Sequence, residues 1–172
     1  MISTMTQAKP YEDTLEGSVE MHQLVSFQLG PEEYAIDILG VQEIIRLVEI
    51  THVPNAPHYV EHVPNAPHYV DGVVNLRGKI IPIINLRNRF GLSSTEPTKD
   101  TRIIVVEVAR LILGFMVDSV EEVLRLPEDL IEPPLSTGRG GADEFHRGVG
   151  RVDGRLLILL DLDLLFGIKK SG

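Results

Sequence analysis

Four histidines are the first residues whose spacing suggests chemistry. The nine residues His52–Val60 recur letter for letter as His62–Val70, so residues 52–71 form a tandem-duplicated segment. His58 and His62 are four residues apart, a spacing at which two imidazoles on one helix can bind zinc. Prolines flank this pair, no carboxylate cluster completes a ligand shell, and the spacing itself follows from the copying. We therefore expect solvated loop histidines at positions 52, 58, 62 and 68, and no metal site.

Other reactive groups are sparse. The chain has no cysteine, which removes disulfides, zinc–thiolate sites and thiol nucleophiles. The glycine-rich segment 138–141 lacks the lysine and the fixed spacing of a phosphate-binding loop. Asp161 and Asp163 could form a carboxylate pair, but Asp161 fits better as the cap of a short helix. No nucleophile elbow is present, so we expect neither catalytic residues nor a cofactor.

Charge and hydropathy exclude two classes of partner. The chain has 16 Lys and Arg against 25 Asp and Glu, a net charge of −9 that repels nucleic acid and anionic lipid. Its unbroken apolar runs reach only about five residues, whereas a membrane span needs about 20. Residues 1–20 are polar and acidic without the features of a signal peptide, so we interpret them as a flexible tail. We predict a cytoplasmic protein without direct membrane insertion.

Apolar periodicity predicts the elements that would position any site. Alternating apolar residues from Leu24 to Ile38 predict a β-hairpin that turns at Gly30. Apolar residues at helical spacing predict a short amphipathic helix over residues 41–48. Residues 73–84 predict a second hairpin, and Asn85 is expected to cap a helical turn that follows it.

Arg77 lies at the turn of this second hairpin. Its guanidinium could pair with the carboxylate of Glu43 in the preceding element. We expect a structural ion pair between Glu43 and Arg77, and the alternative is a direct contact of Arg77 with a partner protein.

The second half of the chain repeats the first. Val41–Leu47 matches Val120–Leu126, and Gly72–Gly91 superposes without a gap on Gly148–Gly167. Each half has about five short strands and is too small to be stable alone, so two lobes, approximately 24–91 and 102–167, should pack as one all-β unit with a cleft between them.

The chain resembles the CheW family of chemotaxis coupling proteins, a match that we assign to a single domain over residues 21–168. The motifs that carry the resemblance are Val25–Gly30, Tyr34–Asp37, Val41–Ile44, Gly72–Gly78, Ile81–Arg87 and Val117-Asp118. The fold that this resemblance implies consists of two five-stranded β-barrels of SH3-like or OB-like type around a shared core, with short helices.

The resemblance also implies a non-catalytic adaptor that links chemoreceptors to the regulatory domain of the histidine kinase CheA in membrane-associated arrays. Other CheW-like domains would join it in rings. The receptor's helical tip would lie in an apolar groove between the lobes, formed by Val25, Ile38, Val41, Ile44, Val120 and Val123. Ordinary core packing is the alternative for these residues, and for Val25 and Val123 the two interpretations weigh equally.

The kinase-facing edge would include Ile50, Val53 or Val63, Asp71 and Val74. Members of the family have one Val-Pro-Asn-Ala-Pro segment before the position of Gly72, whereas this chain has two. The surplus copy would therefore lie beside the expected kinase contact, and the identity of the copies leaves open which one docks natively.

Two other functions remain as alternatives. A small-ligand-binding double barrel could use the cleft between the lobes, and a metal-dependent hydrolase could use the histidines. The aliphatic groove residues favour an apolar helix as the bound partner over a small ligand, because ligand pockets usually combine polar groups with aromatic ones.

Overall fold

The computed structural model describes residues 19–52, 70–134 and 145–166. Most of the predicted tail and most of the duplicated segment, including Val53, His58, His62, Val63 and His68, lie outside these residues. The described elements, in chain order, are β1 (Met21–Leu29), β2 (Glu32–Asp37), β3 (Val41–Arg46), β4 (Val70–Leu76), β5 (Lys79–Ile84), α1 (Leu86–Arg89), β6 (Arg102–Val108), β7 (Leu111–Val117), β8 (Ser119–Pro127), β9 (His146–Val152), β10 (Arg155–Leu160) and α2 (Leu162–Leu165). Single 3₁₀ turns cover Ile38–Gly40 and Glu128–Leu130.

The predicted turn at Arg77 and the predicted caps at Asn85 and Asp161 are confirmed, and the second repeat has a turn of the same kind at Asp153-Gly154. Arg77-Gly78 has φ values of 53° and 84°, and Asp153-Gly154 has values of 52° and 78°, the left-handed pair that a tight two-residue hairpin requires. Asn85 accepts a hydrogen bond from the amide of the residue three positions on, at 2.8 Å, and thereby caps α1. Asp161 caps α2 in the same way, at 3.2 Å.

The helix predicted over residues 41–48 is wrong, because Val41–Arg46 forms strand β3. The pairing of β3 with β6 shifts in register between Val41 and Glu43, so Gln42 is the extra residue of a β-bulge. The bulge places Val41 and Ile44 on one face of the strand at a spacing of three. A strand that contains a bulge therefore imitates the helical period in its sequence.

Each of the two sheets takes strands from both halves of the chain. The strand orders are β8-β1-β2-β10-β9 and β3-β6-β7-β5-β4. Strands β1 to β5 of the first repeat correspond in order to strands β6 to β10 of the second. When each strand is replaced by its counterpart, one strand order becomes the other, so a pseudo-two-fold axis relates the two sheets. The registers agree with this symmetry, since Val25 pairs with Ile36 as Ile104 pairs with Phe115.

The structural lobes therefore differ from the contiguous segments 24–91 and 102–167. The first hairpin of the first repeat, β1–β2, lies in one sheet with β8, β9 and β10 of the second repeat. The first hairpin of the second repeat, β6–β7, lies in the other sheet with β3, β4 and β5 of the first repeat. Sequence similarity identified the repeating unit correctly, but the repeats exchange their first hairpins when they fold.

The sheets curl without closing into complete barrels. Thr51, beyond the end of β3, bridges Val73 of β4, and Glu132, beyond β8, bridges Val149 of β9. These single bridges are pseudo-equivalent, and each joins one edge of a sheet to the other. Otherwise the two five-stranded sheets and the short helices agree with the predicted all-β fold.

Within the part of the chain that the structure describes, the buried apolar side chains form three clusters. The largest draws on both sheets and both helices and includes Phe27, Phe115 and Phe166. Two smaller clusters lie within the individual sheets, around Leu157 in one and Ile83 in the other. The predicted core shared between two lobes is confirmed by the first cluster.

Candidate interaction surfaces

The residues predicted to form the inter-lobe groove differ in solvent exposure and fall into buried, half-buried and exposed groups. Val25 is 1% exposed and belongs to the shared core. Ile38, Val41 and Val120 are half-buried and pack against that core. Ile44 and Val123 are 37% and 54% exposed.

Strand pairing explains this gradient. Val123 on edge strand β8 is the cross-strand neighbour of Val25, and Ile44 on edge strand β3 is the neighbour of the buried Ile104. Cross-strand neighbours point to the same face of a sheet. Ile44 and Val123 therefore extend two rows of the shared core to the surface, at pseudo-equivalent positions. We call Ile38, Val41, Ile44, Val120 and Val123 the apolar rim.

The residues predicted to face the kinase also differ in solvent exposure. Val74 is 1% exposed and belongs to the core of its sheet, so it cannot itself contact a partner. Ile50 and Asp71 are half-buried and line a cavity of about 480 Å³. Val53 and Val63 lie outside the described residues.

Three polar residues that line this cavity, His52, Asp71 and Asn85, are bound to one another. Asn85 Nδ2 donates to Asp71 Oδ1 at 3.0 Å, and His52 Nδ1 lies 3.0 Å from the carbonyl oxygen of Asp71. These bonds tie the first and last residues of the duplicated segment to the cap of α1. This arrangement holds the two ends of that segment together.

The structure brings Glu43 and Arg77 into a hydrogen-bonded ion pair. The pair links edge strand β3 to the β4–β5 turn, and Arg77 is 69% exposed. The pseudo-equivalent carboxylate, Glu122 on β8, pairs with Arg155 on β10. The hydrogen bond from Arg155 to the Glu122 carboxylate raises the pKa of Arg155. Each sheet thus has one such bridge between an edge strand and its second hairpin.

The exposure of the Glu43–Arg77 pair leads to a small predicted effect. We expect a double-mutant cycle with Glu43→Gln and Arg77→Gln to give a coupling energy of about 0.5 kcal/mol, because water screens exposed ion pairs. Urea denaturation at low salt and at 1 M NaCl would measure it, and the coupling should weaken in salt. A coupling of about 3 kcal/mol, typical of buried pairs, would contradict this assignment.

A third ion pair, between Arg87 and Asp118, was also not predicted from the sequence. Arg87 of α1 bonds to Asp118, with Nη2 2.8 Å from Oδ2, and the same Oδ2 accepts the amide of Gly30 at 2.9 Å. Both side chains belong to motifs that support the family resemblance, but no spacing in the sequence indicates that they meet.

One group of potential metal ligands lies near the start of the described chain. Ligand atoms of Glu20, His22 and Glu128 all lie within 4.8 Å of one another. The His22 imidazole is already hydrogen-bonded to the Glu128 carboxylate, which accounts for their proximity. Of the predicted loop histidines, His52 does not belong to this group, and His58, His62 and His68 lie outside the described residues. Among the described residues, no helix is long and apolar enough to cross a membrane.

Comparison with known proteins identifies the family. Residues 23–170 match the family model described as CheW-like domain. The chain is 32% identical over 149 residues to the probable chemotaxis protein CheW of Rhizobium etli, covering 87% of this chain and 90% of that protein. It is 36% identical over 148 residues to the chemotaxis protein CheW of Helicobacter pylori, covering 86% of this chain and 83% of the other.

A solved structure agrees with these relatives. The scaffolding protein TtCheW from Thermoanaerobacter tengcongensis superposes with a TM-score of 0.71 at 35% identity, covering 88% of this chain and 97% of that one. Similarity in sequence and in fold thus extends over nearly the whole of both molecules. The chain belongs to the family of proteins with a CheW-like domain.

Proposed function

We propose that this protein is a non-catalytic chemotaxis adaptor that couples chemoreceptors to the histidine kinase CheA. The observation that carries the proposal is similarity, over almost the full chain, to chemotaxis CheW proteins and to a scaffolding protein of the same fold. An adaptor needs surfaces for two partners and no reactive centre. It acts in the cytoplasm and is recruited to membrane-associated receptor arrays.

The receptor's helical tip binds at the apolar rim. Ile44 and Val123 supply exposed aliphatic surface on two edge strands, and the half-buried members of the rim connect them to the core. An amphipathic helix buries its apolar face against a surface of this kind. Val25 supports the rim from below and does not contact the receptor.

The regulatory domain of CheA binds near Ile50 and Asp71, beside the ends of the duplicated segment. Val74 supports this surface from the core, and Val53 or Val63 adds to it from the duplicated segment. Other CheW-like domains meet the protein in rings at related surfaces.

The alternative function, binding of a small ligand in the cleft of a double barrel, has less support than the adaptor function. Binding pockets for small molecules usually place a few polar groups among aromatic ones. The apolar rim is entirely aliphatic, and in the cavity beside Asp71 the polar groups of His52, Asp71 and Asn85 bind one another. Neither feature favours a small molecule.

Reconstitution tests the adaptor function. Purified protein, CheA and a receptor cytoplasmic fragment should co-sediment as a ternary complex, and omission of this protein should remove CheA from the receptor pellet. The double variant Ile44→Asp/Val123→Asp is expected to keep CheA and lose the receptor fragment. Failure of the wild-type protein to bind either partner would refute the proposal.

The duplication yields a prediction for the kinase side. Deleting Glu61–Val70 leaves one complete copy, with Val60 in the place of the identical Val70. We expect tighter CheA binding, because ten surplus residues no longer crowd the surface at Ile50 and Asp71, and an unchanged receptor affinity. Calorimetric titration with each partner would measure both.

The same deletion should have little effect on folding. The Thr51–Val73 bridge joins the chain on both sides of the segment, so the sheet does not depend on its length. Shortening the connection between two paired strands by ten residues changes the closure free energy by about 1 kcal/mol or less. An unchanged CheA affinity would reject the crowding, and loss of folding would show that both copies are needed.

A further inference from the structure

Two segments cross from one sheet to the other, and the pseudo-two-fold axis relates them. The first crossover, Ile38–Gly40, leads from β2 into β3. The second, at Asp118, leads from β7 into β8. Each crossover therefore begins an edge strand that contributes to the apolar rim.

The second crossover is held by polar bonds to both sheets. The Asp118 amide donates to the carbonyl oxygen of Gln28 on β1 at 2.9 Å, and its carboxylate accepts the Gly30 amide. The same carboxylate receives Arg87 of α1, the helix that follows β5 in the other sheet. Arg87 Nη1 also donates to the carbonyl oxygen of Ser93 at 2.7 Å, which fixes the guanidinium.

The first crossover cannot form the same ion pair. Leu39 occupies the position equivalent to Asp118, and Asp163 occupies the position equivalent to Arg87. Leu39 has no charge, and its side chain is 91% exposed. The ion pair between the sheets thus exists at one of the two equivalent crossovers.

We propose that Arg87 and Asp118 are positioning residues for receptor binding, an inference that rests on the proposed function. Asp118 precedes Val120 by two residues, so the ion pair sets where β8 begins relative to the other sheet. The position of β8 in turn sets the distance between Val123 and Ile44 across the apolar rim. Arg87 and Asp118 are 19% and 34% exposed, and this shielding strengthens a charge-assisted pair relative to the exposed pairs of the fold.

Paired variants test this role in binding. Asp118→Asn and Arg87→Gln remove the ion pair, whereas Glu132→Gln and Arg151→Gln remove an exposed pair that joins β9 to the segment after β8. We expect the first two variants to raise the receptor-fragment Kd about tenfold, within the range usual for coupling between separate sites. The two control variants should stay within twofold of wild type, and Asp118→Asn should retain its CheA affinity, which shows that it is folded.

A distance measurement separates positioning from direct contact. The chain has no cysteine, so spin labels can be attached uniquely at Gln42→Cys and Glu121→Cys, the pseudo-equivalent exposed positions on β3 and β8. Electron–electron double resonance should give a narrow distance distribution in the otherwise unaltered protein. Asp118→Asn and Arg87→Gln should broaden or shift it, and the control variants should not.

Each result bears on the proposal. An unchanged receptor affinity, or a weakened affinity with an unchanged distance distribution, would overturn it. If Asp118→Asn fails to fold, Arg87→Gln decides, because that variant keeps the bonds of Asp118 to Gln28 and Gly30. If the unaltered protein does not bind the receptor fragment, the proposed function fails, and the assignment to receptor binding fails with it. The distance distributions would then still report whether the ion pair positions β8.

Discussion

Replacing Gly72 with alanine is expected to lower the free energy of unfolding by about 3 kcal/mol or more, because the new methyl group has no space. A Cβ at this position would lie 2.1 Å from the carbonyl oxygen of Thr51 and 2.9 Å from Cα of His52. Both atoms belong to backbone, so neither can rotate away. The chain would have to open the bridge between Thr51 and Val73, whose two hydrogen bonds are each 2.9 Å long.

Urea denaturation followed by circular dichroism would measure the loss, with Gly78→Ala as the matched control. Gly78 has a φ of +84° and no atom within 4 Å of an added Cβ, so its substitution costs only left-handed strain of about 1 kcal/mol. Gly148→Ala should resemble Gly72→Ala, since its Cβ would lie 2.7 Å from the carbonyl oxygen of Glu132. Equal losses in Gly72→Ala and Gly78→Ala would contradict a close approach at the bridge.

An aspartate substitution is expected to prevent folding at Val25 and to weaken receptor binding at its cross-strand neighbour Val123. Val25→Asp places an unpaired carboxylate in the shared core, and a penalty of several kcal/mol, on the order of the whole stability of a domain, should prevent folding. Val123→Asp leaves its carboxylate in water at the apolar rim. That variant should fold with a stability within about 1 kcal/mol of wild type and should bind the receptor fragment at least tenfold more weakly.

Thermal unfolding and titration with the receptor fragment would separate the two effects. Val123→Thr is the control, because it keeps the β-branched shape of the side chain and adds no charge. A folded Val123→Asp variant with wild-type receptor affinity would remove Val123 from the apolar rim. A folded Val25→Asp variant would contradict the assignment of Val25 to the core.

Local features were predictable because their causes are local. The Asp153-Gly154 turn requires left-handed φ values that aspartate and glycine tolerate, and Gly78 supplies the second left-handed position of the Arg77-Gly78 turn. Asn85 and Asp161 cap helices through bonds to residues three positions on. Such interactions are visible in a short window of sequence. The matching repeats added the correct number of strands in each half.

The helix was predicted wrongly at residues 41–48 because an α-helix and a strand with a β-bulge can give the same spacing of apolar residues. A bulge at Gln42 adds one residue to a period of two, and the resulting spacing of three from Val41 to Ile44 equals a helical spacing. Pairing with β6 decides between the two interpretations, and β6 begins more than fifty residues later in the chain.

The all-β class, the internal repeat, the turns, the caps and the family resemblance could be predicted from residue types at short spacing or from ordered motifs. Three features could be read only from the folded molecule: the exchange of the first hairpins between the repeats, the contact between Arg87 and Asp118, and the burial of each predicted site residue. Val25 and Val74 are buried, whereas Ile44 and Val123 reach the surface. These outcomes depend on which strands become edges and which become centres of a sheet. Strand pairing between distant segments decides that, and no local pattern encodes the choice.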